Sequence, residues 1–302
     1  MGSTQVRLLA MLPSMILSSV LVFTCAIGSD AAANEPGHMA DSVPNSSSVP
    51  GWNFILSGPN APGKLAEAVV NVLESLRANV MRGSLDDVEA RIPAYDRRED
   101  FGGWIVADSS VSCLDTRGTV LVNSADPSTK ITYRDSSKCS VTKGLWHDPY
   151  SGDDFKLATT MQIDHVVPLK HAYLTGAHKW SPQRRCYYAN FLNNSFHLLA
   201  VNGHENMSKG DNAPNEYLPP DESYQCQYVA NWMKVKAIWK LASTADEISA
   251  VEDVIREHHC ADSKFQMTDS QITRERKAIT DTVPARCRDF GSEDFVGSSL
   301  QL

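Results

Sequence analysis

The 302-residue sequence predicts an α+β domain. Three observations point there. Two short apolar runs flank residues rich in chemistry, and a short polar segment of helical character follows the second run. Several longer stretches repeat apolar residues at helical spacing. Six cysteines lie beyond an N-terminal apolar segment and imply disulfides. The expected architecture is a two-stranded hairpin plus a helix, embedded in a helix-rich, disulfide-containing domain. At this length the chain is long enough for a substantial hydrophobic core.

Taken in order, Arg7 precedes an apolar run from Leu8 to Ile27, and small residues follow to Ala33. That order reads as a secretory signal over residues 1–33. The other reading is an uncleaved anchor, because the run is just long enough to span a bilayer. Residues 34–62, rich in Ser, Pro, Asn and Gly, read as a flexible leader. The main domain is expected over 63–288, with its reactive core at about 157–215 and a Gly/Ser-rich disordered tail over 289–302. From Lys64 to Val80 the apolar residues fall on one helical face. The polar–aromatic stretch Tyr95–Trp104 is expected to pack on the domain. Residues 119–123, 130–133 and 139–146 read as short strands or loops.

The segment from Asp154 to Ile163 should contain the first strand of the hairpin, with Asp164 and His165 at its end. Residues 171–190 form a long connection, and His197 to Val201 reads as the second strand. Gly203 marks a turn, a short helix carries Asn206 and Lys209, and Pro214, Pro219 and Pro220 end the unit. Tyr224 to Leu241 reads as a helix whose Tyr228, Trp232, Val235 and Trp239 share a core-facing side. Thr244 and Glu247 form a capping box that opens a helix running to His258.

Of the seven cysteines, Cys25 lies in the signal, which leaves Cys113, Cys139, Cys186, Cys226, Cys260 and Cys287. Sequential pairing, 113–139, 186–226 and 260–287, is the expectation among the fifteen arrangements open to six cysteines. No CxxC pair suggests a cysteine zinc site. Sequons occur at Asn45, Asn193 and Asn206, and a glycan on Asn206 conflicts with a ligand role for it. The formal net charge of −8 argues against a chain that holds nucleic acid by its overall field. Between Met161 and Asp211, however, five Lys/Arg face three acids, a mildly positive stretch in an acidic protein.

The chemistry concentrates in that stretch. Asp164 has no Lys or Arg within two positions to pair with, so a metal is a reasonable partner. His165 is the expected general base, since an ordinary imidazole is half-deprotonated near pH 6.5. His197, across the hairpin, is expected to hold the His165 ring or backbone. Asn206 offers an amide oxygen, a hard donor suited to Mg²⁺ or Mn²⁺. Lys209, three residues on, shares its helical face and is expected to contact phosphate, as is the basic pair Arg184-Arg185. A carboxylate, an imidazole, an amide oxygen and a lysine around two strands are what hydrolysis of a phosphodiester with one divalent cation needs.

Asp-His-Val-Val-Pro-Leu at 164–169, Arg-Arg at 184–185, Leu-Leu-Ala-Val-Asn-Gly at 198–203, Asn-Met-Ser-Lys-Gly-Asp at 206–211 and Pro-Asn-Glu-Tyr-Leu-Pro-Pro at 214–220 together resemble the HNH endonuclease superfamily. Within it the chain is similar to a secreted branch related to the C-terminal nuclease part of the GmrSD restriction enzymes. The likeness is tightest over 161–220 and extends more loosely from Tyr95-Asp-Arg to the Trp232 helix. It implies a ββα-metal fold, with Asp164 and Asn206 as metal ligands, His165 activating water and Lys209 near phosphate. The chain departs from this branch at His197, where Asn usually precedes Leu-Leu.

The expected function is therefore a secreted endonuclease using one Mg²⁺ or Mn²⁺ on DNA, or RNA, with little sequence preference and no membrane association after signal cleavage. Two rivals remain in view: a catalytically silent secreted binding module on the same scaffold, and a secreted zinc hydrolase, which lacks the HExxH pattern it would need.

Overall fold

A computed structural model describes residue 72 and residues 76–106, 112–261 and 267–291. The expected signal, the leader and most of the Lys64–Val80 helix lie outside these residues. These residues form a mixed α+β structure with two small antiparallel sheets and three disulfides. Short helices α1 (Leu85–Glu89) and α2 (Arg97–Phe101) precede α3 (Thr116–Ser124). Strands β1 (Thr132–Tyr133), β2 (Val141–His147) and β3 (Asp154–Leu157) form one sheet in that order. Strand β4 (Met161–His165) pairs instead with β5 (Leu198–Asn202), from Met161 opposite Asn202 to His165 opposite Leu198. Between them lie α4 (Leu169–Leu174) and α5 (Pro182–Ala189). The chain passes from β5 directly into α6 (Gly203–Lys209), and then into α7 (Glu222–Trp239), α8 (Ala245–Glu257), α9 (Asp269–Asp281) and α10 (Ala285–Arg288).

The expected long connection is thus largely helical. The reason is local: Ser181 caps α5 by accepting from Arg184 N, with Pro182 at the first helical position. The apolar run Thr119–Asn123 also proves helical. Asp115 accepts from Gly118 N to start α3, and the helix buries Val120 and Leu121 with Ile163, Leu198 and Ala200 of the hairpin. One face of the β4–β5 hairpin therefore belongs to a small core with α3, while Val201 on the other face joins the main core.

That main core is built on α7. Tyr228, Trp232 and Trp239 are fully buried, as their spacing predicts, and Val235 is buried with them. Below them Glu247 closes an internal network. It accepts from Trp232 Nε1 at 2.6 Å and from Lys236 Nζ, while its carboxylate also makes the expected capping box with Thr244. His171 Nε2 stands 3.4 Å from Glu247 Oε2 without hydrogen-bond alignment. The Lys236 cation holds the Glu247 carboxyl far below the usual carboxylate range despite its burial.

Cys113–Cys139 pairs as expected, but the other two disulfides are Cys186–Cys287 and Cys226–Cys260. Long-range packing decides this: α10 packs on α5, and Cys226 on α7 meets the end of α8. Phe290, in the stretch expected as a tail, is buried and its carbonyl accepts from Gln183. Removing Cys186–Cys287, which closes a 101-residue separation, is expected to cost roughly 4–5 kcal/mol in the loop-entropy treatment. Removing Cys113–Cys139, with a separation of 26, should cost roughly 3–4 kcal/mol. Denaturant midpoints of the two double-alanine variants check the order.

Candidate active site

Alternation along β4 puts Gln162 and Asp164 on one face and His165 on the other. Helix α6 packs against the Gln162–Asp164 face. Asn202 caps it by accepting from His204 N, and Gly203 lets it start tight against the strand. A Cβ at Gly203 would lie 3.0 Å from Gln162 Nε2. This arrangement brings Asn206 to Gln162, whose Oε1 accepts from Asn206 Nδ2 at 2.7 Å. Among the described residues nothing else hydrogen-bonds the Asn206 side chain, so its amide oxygen keeps its acceptor capacity.

One turn further on, Lys209 is fully buried. Its ammonium donates to Asp164 Oδ1 at 2.8 Å and to the His165 carbonyl at 3.0 Å. The other carboxylate oxygen accepts from the Tyr150 hydroxyl at 2.5 Å. Burial moves the Asp164 carboxyl up and the Lys209 ammonium down, and each shift is opposed by the charge of the partner. Burial, then the adjacent Asp164 charge, raises the Tyr150 phenol well above its ordinary value. The partner that sequence proximity failed to supply for Asp164 is therefore an ammonium from α6. Tyr150 was invisible to sequence reasoning, because nothing in the turn Asp148-Pro-Tyr-Ser151 announces a side chain aimed at β4.

His165, on the other face of β4, and His197, just before β5, both lie against the C-terminal turn of α5. His165 Nε2 lies 2.9 Å from the Ala189 carbonyl and His197 Nε2 lies 2.8 Å from the Tyr188 carbonyl. Those carbonyls lie in the last helical turn, where carbonyls have no partner within the helix. A carbonyl only accepts, so each Nε2 carries the proton and each Nδ1 carries the lone pair. Burial pushes His165 well below the usual imidazole range, with His197 adding to the shift. His197 falls to about 4 for the same leading reason. Both rings are neutral at neutral pH. His165 is stacked on Trp104, with ring centroids 5.4 Å apart and planes 8° apart. Its backbone strand is held by Val166 N donating to the His197 carbonyl, but the two imidazoles meet edge-on at 6.3 Å and share no hydrogen bond.

His197 thus orients the strand through its main chain and fills the core with its ring, among Tyr188, Phe191 and Trp239. Its Nδ1 is buried with no hydrogen-bond partner. Between pH 6.5 and 4 the unfolded chain binds a proton at this residue that the folded chain refuses, so stability rises with pH across that window. The loss on acidification through it amounts to roughly 3 kcal/mol from this group. His197→Asn is expected to flatten that part of the stability-versus-pH curve, measured by urea unfolding at a series of pH values. An unchanged curve would assign the acid sensitivity elsewhere.

The expected phosphate contacts are all engaged inside the domain. Lys209 is in the pair just described. Arg184 lies 4.4 Å over the Trp180 ring and donates to the Trp239 carbonyl. Arg185 donates to the Asp100 and Trp180 carbonyls and pairs with the Asp100 carboxylate. His204, beside the turn, is exposed and pairs with Glu205.

Whether the donor set fits a divalent cation turns on Asp164 and Asn206. Among the described residues no cluster of three His, Cys, Asp or Glu side chains forms a ready metal cage. One carboxylate and one amide oxygen on neighbouring elements, both hard donors, match the sparse protein ligation of Mg²⁺, which relies on water and substrate phosphate for the rest. The carboxylate already sits against a positive charge. The set fits such an ion on one condition, that Lys209 gives up Oδ1.

The family described as "GmrSD restriction endonucleases, C-terminal domain" matches residues 123–250, which hold both site strands and α6. An "uncharacterized secreted protein" of Arthroderma benhamiae is 37% identical over 158 residues, covering 52% of this chain and 73% of the relative. No solved structure matches the chain. Among the described residues no helix is long and apolar enough to cross a membrane.

Proposed function

Because the chain belongs to the family of the GmrSD restriction endonuclease C-terminal domain, we propose that it is a secreted HNH-type endonuclease that hydrolyses phosphodiester bonds in DNA. What carries this reading is the state of His165. Its Nε2 is committed to the Ala189 carbonyl, its ring is neutral, and its Nδ1 lone pair is left to accept a proton. The β4–β5–α6 unit, with Asp164 and Asn206 presented on the helix-facing side, is read as a ββα-metal core.

Asp164 and Asn206 would hold one Mg²⁺ or Mn²⁺. Such an ion, when bound, neutralises charge on the scissile phosphate and on the departing oxygen. His165 Nδ1 takes a proton from water as the water oxygen attacks phosphorus, and the bond from phosphorus to the 3′-oxygen breaks. Secretion is supported by the fungal relative, itself described as a secreted protein, and by the three disulfides among the described residues, which persist outside reducing compartments.

The Lys209–Asp164 pair favours a second reading, a silent binding module in which the ammonium permanently closes the site. Digestion of supercoiled plasmid separates the two. The mature protein should nick and linearise plasmid in Mg²⁺ or Mn²⁺ and stop when EDTA is added. Intact plasmid and intact single strands in both metals would leave only the binding module.

A further inference from the structure

A polyanionic strand at His165 calls for a cation beside the reacting phosphate, and Lys209, Arg184 and Arg185 are all engaged elsewhere. Arg97 is not. It opens α2, its side chain is exposed, and among the described residues no carboxylate or carbonyl receives a hydrogen bond from its guanidinium. The acids around it have other partners: Asp96 caps α2 by accepting from Arg98 N and Glu99 N, and Asp100 accepts from Asp96 N and pairs with Arg185. Glu99 is exposed. The guanidinium carbon lies 5.9 Å from the centroid of Trp104, the same indole that stacks on His165 at 5.4 Å. Those two separations put the guanidinium no more than about 11 Å from the imidazole. Trp104 is partly exposed, so the row of guanidinium, indole and imidazole reaches solvent.

We infer that Arg97 is a substrate-binding residue that holds a backbone phosphate of a nucleic acid strand within one nucleotide of the bond to be cut, and that Trp104 is the positioning residue that aims it. Guanidinium suits the task because its fork of donors matches phosphate oxygens and it stays charged at any working pH. The cation–π contact with Trp104 restrains an otherwise mobile side chain. The inference rests on the nuclease reading of the same site.

The test uses the full mature protein carrying His165→Gln, so that substrate survives, and a fluorescein-labelled single-stranded DNA of about twelve nucleotides followed by anisotropy across a salt series. A phosphate contact on a single strand contributes about 0.7 to the slope of log affinity against log salt. Adding Arg97→Ala should reduce that slope by about 0.7 and weaken binding about tenfold at low salt. Arg97→Lys should keep the slope. Trp104→Ala should lower it toward the Arg97→Ala value, and Trp104→Phe should restore most of it. An Arg97→Ala slope and affinity equal to those of the parent overturn the inference while plasmid cleavage by the wild-type protein still stands. A parent that binds no strand, from a wild type that cuts none, removes the inference together with the nuclease reading. Should Arg97→Ala lower the thermal transition, Arg97→Gln replaces it in the same series.

Discussion

His165→Gln is expected to lower the cleavage rate by about 10²- to 10⁴-fold, the range that a positioned general base contributes. Glutamine is chosen because its amide N–H can still donate to the Ala189 carbonyl, as His165 Nε2 does now, while offering no basic lone pair. His165→Ala should lose activity to the same extent. It should also lose about 1–3 kcal/mol of stability, because the buried carbonyl of Ala189 is left without a donor and the Trp104 stack loses its partner. Single-turnover cleavage and thermal unfolding of both variants separate the two effects. A glutamine variant that keeps more than about a tenth of the wild-type rate would make His165 a structural histidine. Since burial holds the imidazole far below its ordinary pKa, the acid limb of the wild-type rate profile should also fall below pH 6.5, where an unperturbed histidine would begin to protonate.

Lys209→Met should be the most damaging single change to the fold near the site, costing about 3–5 kcal/mol at neutral pH. Lys209 is 0% exposed and Asp164 only 4%, so removing the ammonium strands a carboxylate in the interior with the Tyr150 hydroxyl as its one remaining strong donor among the described residues. The double variant Lys209→Met/Asp164→Asn should recover most of that loss, because no unpaired charge stays buried. Urea unfolding of the two singles and the double measures the coupling. Singles that add in the double would mean that the pair carries no energy of its own.

Local rules made much of this molecule legible. Alternation around Asp164 and His165, the Asn202-Gly203 boundary and the Thr244–Glu247 capping box are decided within a few residues, so hairpin, short helix and α8 could be read directly. The aromatic side of α7 followed from period alone. What failed depended on distant partners. Thr119–Asn123 looks extended by composition, yet the cap at Asp115 and the apolar face of the hairpin make it helical. Two disulfides follow from how α10 meets α5 and how α7 meets the end of α8, which no cysteine spacing encodes.

Within the site, charge alone suggested that Lys209, Arg184 and Arg185 face a polyanion. Charge cannot tell a buried counter-ion or a cation stacked on indole from an open one. Tyr150 and Trp104 reach Asp164 and His165 from segments 14 and 61 positions upstream, and their side chains gave no signal of it.

Asp164 is the hinge of the whole account, because it now faces an ammonium where the proposed reaction needs a divalent ion. The direct measurement is anomalous scattering from crystals soaked in Mn²⁺. The proposal predicts one peak at coordinating distance, about 2.1 Å, from both an Asp164 oxygen and Asn206 Oδ1, with Lys209 Nζ drawn away from Oδ1. Crystals with no peak there, Lys209 still on Asp164 and Asn206 still turned to Gln162, would contradict it.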